Sequence, residues 1–180
     1  MILLGKQMKF PPLENSDEDG LLCLGGDLCI ERLQLAYQQG IFPWYNEGEP
    51  IQWYSPDPRF VLFLDAFKPA KSLQQLMKSS AYSCTINTCF DQVITACQNV
   101  KRKHQFGTWI TEEMKIAYCK LHQLGQAHSV ECWYENKLVG GLYGILLQHV
   151  FCGESMFSQV PNASKLALAF LVSFLKERNR

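Results

Sequence analysis

The sequence predicts an α+β protein, with a small aromatic N-terminal domain over residues 1–62 and a mixed domain over residues 63–180 whose helices cover a mainly antiparallel sheet. Three observations carry that prediction. Prolines 43, 50, 56 and 58 crowd an aromatic stretch and forbid a regular helix or a central strand there. From residue 61 onward, short strand-like blocks alternate with blocks of helical period. The segment from Ala127 to Phe157 then reads as consecutive strands joined by tight turns.

Each element follows from local chemistry. "ENSDEDG", Glu14 to Gly20, is a solvated acidic turn. "CIERLQLAYQQG" puts Ile30, Leu33, Ala36 and Tyr37 on one helical face, and Gly40 supplies the left-handed stop. "FVLFL" (residues 60–64) reads as a strand, "KSLQQLMKSS" as a short helix, "YSCTIN" as a strand and "FDQVITACQNV" as a helix. "TEEMKIAYCKLHQLG" is a helix with Thr111 as its N-cap, acids at 112 and 113 in the first turn and Gly125 as the stop. Glu135-Asn136-Lys137 and Gln148-His149 are turns of an antiparallel meander, and Asn162 caps a helix from Ala163 to about Glu177.

Composition narrows the function classes. Seventeen basic against seventeen acidic side chains give a formal net charge of zero, so any affinity for nucleic acid needs a local patch. Eight cysteines without C-x-x-C spacing read as reduced thiols in a cytoplasmic protein. The start, "MILLGKQMKFPPL", lacks the pattern of a secretory signal, and "LALAFLVSFL" is about half the roughly twenty residues a bilayer crossing needs. Neither a metal site nor a cofactor is expected: His104, His122, His128 and His149 have no ligand spacing, and no P-loop occurs. His128 reads as a structural hydrogen-bonding residue. The glycines of "VGGLYG" fit close strand approach as well as a ligand.

A few residues stand out from this background. Glu154, in "GESMFS", is an isolated acid within an apolar strand, so it is paired, exposed in a cleft or functional. Trp44 and Trp109 sit in loops outside any core periodicity, where they either fill a seam or offer stacking faces to a base. Lys68, Lys71 and Lys78 form a modest basic face.

Taken in order, "LLCLGGDL", "AYQQGIFPW", "WYSPDPR", "GTWI", "AYCKLHQLGQAHSVE", "LVGGLYG", "FCGESMFS" and "ASKLAL" closely resemble the bacterial leucyl/phenylalanyl-tRNA–protein transferases, from Leu21 to about Leu168. The resemblance implies a small N-terminal domain on an acetyltransferase-like (GNAT-like) domain. It implies transfer of leucine, phenylalanine or methionine from aminoacyl-tRNA to the N-terminal Lys or Arg of an acceptor protein, which marks that protein for N-end rule degradation. By the same resemblance Trp44 and Trp109 stack the terminal adenosine. Leu142, Phe151, Met156 and Leu168 line the pocket for the transferred side chain, with Leu142 where the family commonly has methionine. Lys68, Lys71 and Lys78 contact the tRNA stem with a thinner cluster than the family's, and Glu154 is the active-site carboxylate. The family continues into a further strand with an Asp-x-Gln motif, whereas no Asp or Gln follows Ser173 here. A C-terminally truncated sheet with an exposed apolar edge is therefore expected. The alternative is a catalytically impaired remnant that still binds aminoacyl-tRNA. A coenzyme A acyltransferase would need an R/Q-x-x-G-x-G/A turn, which is not found.

Overall fold

The computed structural model describes residues 2–100 and 108–178; His104 lies outside the described residues. Among the described residues the architecture is α+β, with five α-helices and two mostly antiparallel four-stranded sheets. The chain forms two compact units, one of Met1–Phe60 with Lys101–Leu121 and one of Val61–Val100 with His122–Arg180.

The first unit holds β1 (Leu3–Leu4), β2 (Leu21–Gly25), α1 (Ile30–Gln38), β3 (Phe42–Pro43) and β4 (Gln52–Tyr54), in sheet order β1-β2-β4-β3 with only β1 and β2 parallel. Helix α1 buries Leu33, Ala36 and Tyr37 as its period requires, and Gly40 takes φ 74° beyond its end. It also buries Arg32 completely. The guanidinium donates to Asp27 Oδ1 at 3.2 Å and to the carbonyls of Gln7 and Gly5 at 3.3 and 3.4 Å, which satisfies the buried charge and holds the N-terminal segment. Trp53 is fully buried, with its indole N–H donating to Gly25 O at 2.8 Å. One expectation is corrected here. The proline-rich stretch does contain a central strand, because β4 fits the proline-free gap between Pro50 and Pro56, while Pro43 lies on the edge strand β3 where its missing N–H costs nothing.

Helix α4 (Glu112–Gln123) starts as expected: Thr111 Oγ1 accepts the Met114 amide at 3.2 Å, and Gly125 follows with φ 71°. Within the first unit it presents Met114, Ala117 and Tyr118 to the interior, where the Tyr118 and Tyr37 hydroxyls hydrogen-bond to each other.

The second unit contains α2 (Lys71–Met77), β5 (Tyr82–Ile86), α3 (Phe90–Gln98), β6 (Ala127–Tyr134), β7 (Lys137–Leu147), β8 (Val150–Ser158) and α5 (Ala163–Arg178). Strands β5-β6-β7-β8 form an antiparallel meander in chain order. Glu135 and Asn136 both take positive φ in the two-residue turn between β6 and β7, the geometry that matches strand twist. Helices cover both faces. Gly141 and Tyr143 face α3, since a Cβ at Gly141 would lie 3.5 Å from Val93 and the Tyr143 ring meets Phe90 edge-on at 5.8 Å. Gly140 faces α5, where a Cβ would come within 2.5 Å of the Ala163 methyl. Leu142, Val130 and Cys132 join Ala163, Leu166 and Ala167 in the core on that side. At the start of α5 the amide of Ser164 donates to Ser158 Oγ at 3.3 Å, a capping contact from β8 that the expectation for Asn162 did not include.

"FVLFL" is not a strand. Residues 60–63 run without a ladder and lead into a 3-10 turn at Leu64–Ala66, with Phe60 98% exposed and Phe63 74%. Strand propensity alone does not make a strand when no described neighbour completes the ladder. Among the described residues, no helix is long and apolar enough to cross a membrane.

Candidate functional site

The expected site residues fall into two groups, Trp44 and Trp109 in the first unit and the others in the second. Trp44 follows β3, and its amide donates to Gln52 O at 2.9 Å. The loop beyond it is tied by one carboxylate, Glu49, whose Oε2 accepts from the Asn46 amide at 3.0 Å, from Asn46 Nδ2 at 3.1 Å and from Gln52 Nε2 at 3.2 Å. The indole is 50% exposed and rests against Tyr54, ring centres 5.5 Å apart. Trp109 is 8% exposed and so almost wholly buried. The two loops are tied together by a contact that sequence reasoning missed: Tyr45 Oη lies 3.2 Å from Thr111 Oγ1, although the residues are 66 apart in the chain. Burial, more than any other influence, pushes the Tyr45 hydroxyl above its ordinary value, which keeps it a neutral hydrogen-bonding partner.

In the second unit the pairing register brings the expected apolar residues together. Leu142 pairs with Met156 and Leu146 with Phe151, so all four side chains belong to the face covered by α5. Leu142 is buried in the core there, with Phe151 and Leu168 packed against the same cluster, while Met156 is 43% exposed. Between these rows lies the Gly144–Gly153 pair. A Cβ on Gly144 would stand 2.2 Å from Cys152 O and 2.7 Å from the Phe151 ring, so the glycine admits Phe151. The "VGGLYG" glycines thus serve close approach of strands, helix and ring.

Glu154 occupies one of the irregular positions of the strand ladders, as do Leu22 and Val139. Gly144 pairs with Gly153 and Tyr143 with Ser155, which leaves Glu154 as the extra residue of a β-bulge in the edge strand β8. Bulges re-aim side chains and concentrate beside active sites. The residue is half-buried and has an interaction with its surroundings.

Lys68, Lys71 and Lys78 are all exposed around α2, with Lys71 and Lys78 two turns apart and so on one side of the helix. His128 makes the structural contact expected of it, Nδ1 lying 3.0 Å from Asn87 Nδ2. A second carboxylate went unassigned from sequence. Glu131 is fully buried and accepts from Thr85 Oγ1 and Ser129 Oγ, both at 2.6 Å, and from the amides of Thr88 and Cys89 at 3.2 and 3.4 Å. Four donors explain a buried acid here, and the two amides lie just ahead of α3, where a negative charge is stabilised by the helix dipole. All eight cysteines are free thiols. Among the described residues, no group of three or more His, Cys, Asp or Glu is placed to hold a metal ion.

Comparison with known proteins identifies the family. The family model "Leucyl/phenylalanyl-tRNA protein transferase" matches residues 61–180, and the model of that family's N-terminal domain matches residues 26–57. A leucyl/phenylalanyl-tRNA–protein transferase of Flavobacterium johnsoniae is 55% identical over 179 residues, covering 99% of this chain and 84% of its own length. One of Flavobacterium psychrophilum is 53% identical over 176 residues, with 98% and 83% covered. One of Syntrophus aciditrophicus is 55% identical over 173 residues, with 96% and 72% covered. With both models matched in order and more than half the residues shared across nearly the whole chain, this protein belongs to the leucyl/phenylalanyl-tRNA protein transferase family.

Proposed function

We propose that this chain is an aminoacyltransferase that moves leucine or phenylalanine, and methionine as a related substrate, from aminoacyl-tRNA to the N-terminal Lys or Arg of acceptor proteins. The product is a new peptide bond, and the extended N-terminus is an N-end rule degradation signal read in the cytoplasm. The observation that carries the proposal is the placement of Glu154 as a bulge residue in the strand that also supplies Phe151 and Met156. The acetyltransferase-like reading of the second unit belongs to the same proposal, and the meander β5 to β8 with α3 and α5 on its faces supports it.

The chemistry divides among the residues as follows. The half-exposed Trp44 stacks on the terminal adenosine, and the buried Trp109 backs that platform. The aminoacyl side chain lies against Leu142, Phe151, Met156 and Leu168. An apolar surface of this kind takes leucine, phenylalanine or methionine and rejects a charged side chain, whose desolvation would go uncompensated. Lys68, Lys71 and Lys78 contact backbone phosphates of the tRNA, so affinity falls with salt according to the number of contacts. The acceptor's α-amine, with a reference pKa of about 8, attacks the ester carbonyl in its neutral form. As the C–N bond forms, the amine loses a proton and the C–O bond to the adenosine ribose breaks. Glu154 holds the cationic acceptor, receives that proton and passes it to the departing ribose oxygen, which leaves as a hydroxyl, while most of the acceleration comes from orienting the two bound substrates.

The test is transfer of labelled leucine from leucyl-tRNA to a peptide with N-terminal arginine, with Glu154→Ala and Glu154→Gln measured beside the wild type. The expected result is a fall of about 10²–10⁴ in transfer by both variants with tRNA binding unchanged. Wild-type transfer in Glu154→Ala would remove Glu154 from the reaction. Binding of charged tRNA without transfer by the wild type would leave a tRNA-binding remnant.

A further inference from the structure

The first unit carries an aromatic row that the assignments above use only at one end. Trp44 rests on Tyr54 at 5.5 Å, Tyr54 stacks with Phe42 at 6.2 Å and an interplanar angle of 28°, and the Arg59 guanidinium lies 4.7 Å over the Phe42 ring. Register makes the row, since Phe42 and Tyr54 are direct partners across β3 and β4. Phe42 and Tyr54 are half-buried, and Trp44 and Arg59 are exposed, so the row forms part of the surface. Arg59 is fixed in place: its Nη1 donates to Gly40 O at 2.9 Å, and its other contact is the ring. One of five N–H donors is thus used on a carbonyl. The charge is polarised along the row. Burial first, and then Asp17, Asp19 and Glu49, push the Tyr54 hydroxyl above its ordinary value, whereas the cation sits at the Phe42 end. Gln52 links that hydroxyl to Glu49, accepting from the hydroxyl at 2.8 Å and donating to Glu49 Oε2 at 3.2 Å.

Rings that offer π-faces beside a preorganised arginine are the combination that binds single-stranded nucleic acid. We propose that Tyr54, Phe42 and Arg59 extend the Trp44 platform into a subsite for the unpaired nucleotides preceding the terminal adenosine, with Arg59 bound to a backbone phosphate. The subsite rests on the reading of Trp44 as the adenosine platform. The acids near Tyr54 repel phosphate, so the backbone runs past the Arg59 end and the bases face the rings.

Two probes test this with the full chain, adenosine alone and deacylated tRNA with an intact CCA end, each titrated by tryptophan fluorescence between 50 and 200 mM salt. Arg59→Gln is expected to leave adenosine affinity unchanged and to lower the slope of log affinity against log salt for tRNA by about 0.7, one single-strand phosphate. The wild type then loses roughly 2.6-fold more affinity across that range than the variant does. Arg59→Lys, which keeps the charge, is expected to retain the slope. An unchanged slope in Arg59→Gln overturns the phosphate contact. A fall in adenosine affinity in both Arg59 variants shows that Arg59 only braces Phe42, and also overturns it. Trp44→Ala separates the underlying reading: it is expected to weaken adenosine roughly 5- to 150-fold, and no change there removes the platform itself.

Discussion

The Gly144–Gly153 pair offers a matched experiment, because two glycines directly opposite each other on one sheet face have very different surroundings. An added Cβ at Gly144 would lie 2.2 Å from the Cys152 carbonyl oxygen, about 1 Å inside ordinary contact, and 2.7 Å from two atoms of the Phe151 ring. The ring can rotate; the carbonyl belongs to β8 and moves only with the strand. At Gly153 the nearest atom to an added Cβ is 4.0 Å away, in ordinary contact. Gly144→Ala is therefore expected to cost about 3 kcal/mol, the upper part of the usual range for overpacking. Gly153→Ala is expected to stay within about 0.5 kcal/mol of wild type. With a urea m-value of about 2 kcal/mol/M, the first change moves the unfolding midpoint down by about 1.5 M and the second by less than about 0.3 M. Urea denaturation followed by circular dichroism reads both midpoints. Leucine transfer should fall with Gly144→Ala even at low urea, since the displaced segment carries Phe151 and adjoins Glu154. Equal midpoints for the two variants would refute the packing account of this glycine pair.

Three further predictions follow from contacts already described. Burial, with the charge of His122 as a smaller influence, holds His128 below the usual histidine range, so the unfolded chain binds its proton more readily. Its contribution to stability is complete above the unfolded value of about 6.5 and is lost as pH falls below that; His128→Gln should flatten this part of a urea-midpoint profile between pH 7.5 and 5. Arg32→Met removes the donor to Asp27 and to the Gln7 and Gly5 carbonyls and should cost about 3 kcal/mol, with limited proteolysis near residue 7 as a second readout. Thr111→Val deletes both the α4 cap and the tie to Tyr45, and is expected to lower stability by about 1–2 kcal/mol in the same denaturation assay.

Much of the fold was legible where its signals are local. The cap at Thr111, the stop at Gly125 and the turn at Glu135-Asn136 each depend on a few neighbouring residues. The failures share a cause of the opposite kind. "FVLFL" has the composition of a strand, but strandhood depends on a partner elsewhere, and none of the described strands pairs with it. The three-residue strand β4 was hidden because its prolines flank it instead of interrupting it. In the site, the oddity of Glu154 could be read from its apolar neighbours, whereas its bulge is a mismatch between two strands and has no signature in either one. The Tyr45–Thr111 tie and the four donors to Glu131 are likewise long-range facts that no local window contains.

The bulge also settles a matter of parity. Phe151 and Met156 are five positions apart, an odd interval, and in an uninterrupted strand they would point to opposite sides of the sheet. Their partners Leu146 and Leu142 are four apart and share a side, so the single uncounted residue between Gly153 and Ser155 is what returns Met156 to the side of Phe151. Position 154 therefore carries two separable duties, one proposed above for its carboxylate and the other set by its mere presence in the chain. Substitution there removes the first and spares the second. Deletion of the residue would reverse one half of β8, turning either Phe151 or Met156 away from Leu142 and exchanging the buried Phe157 side of the strand for its exposed one.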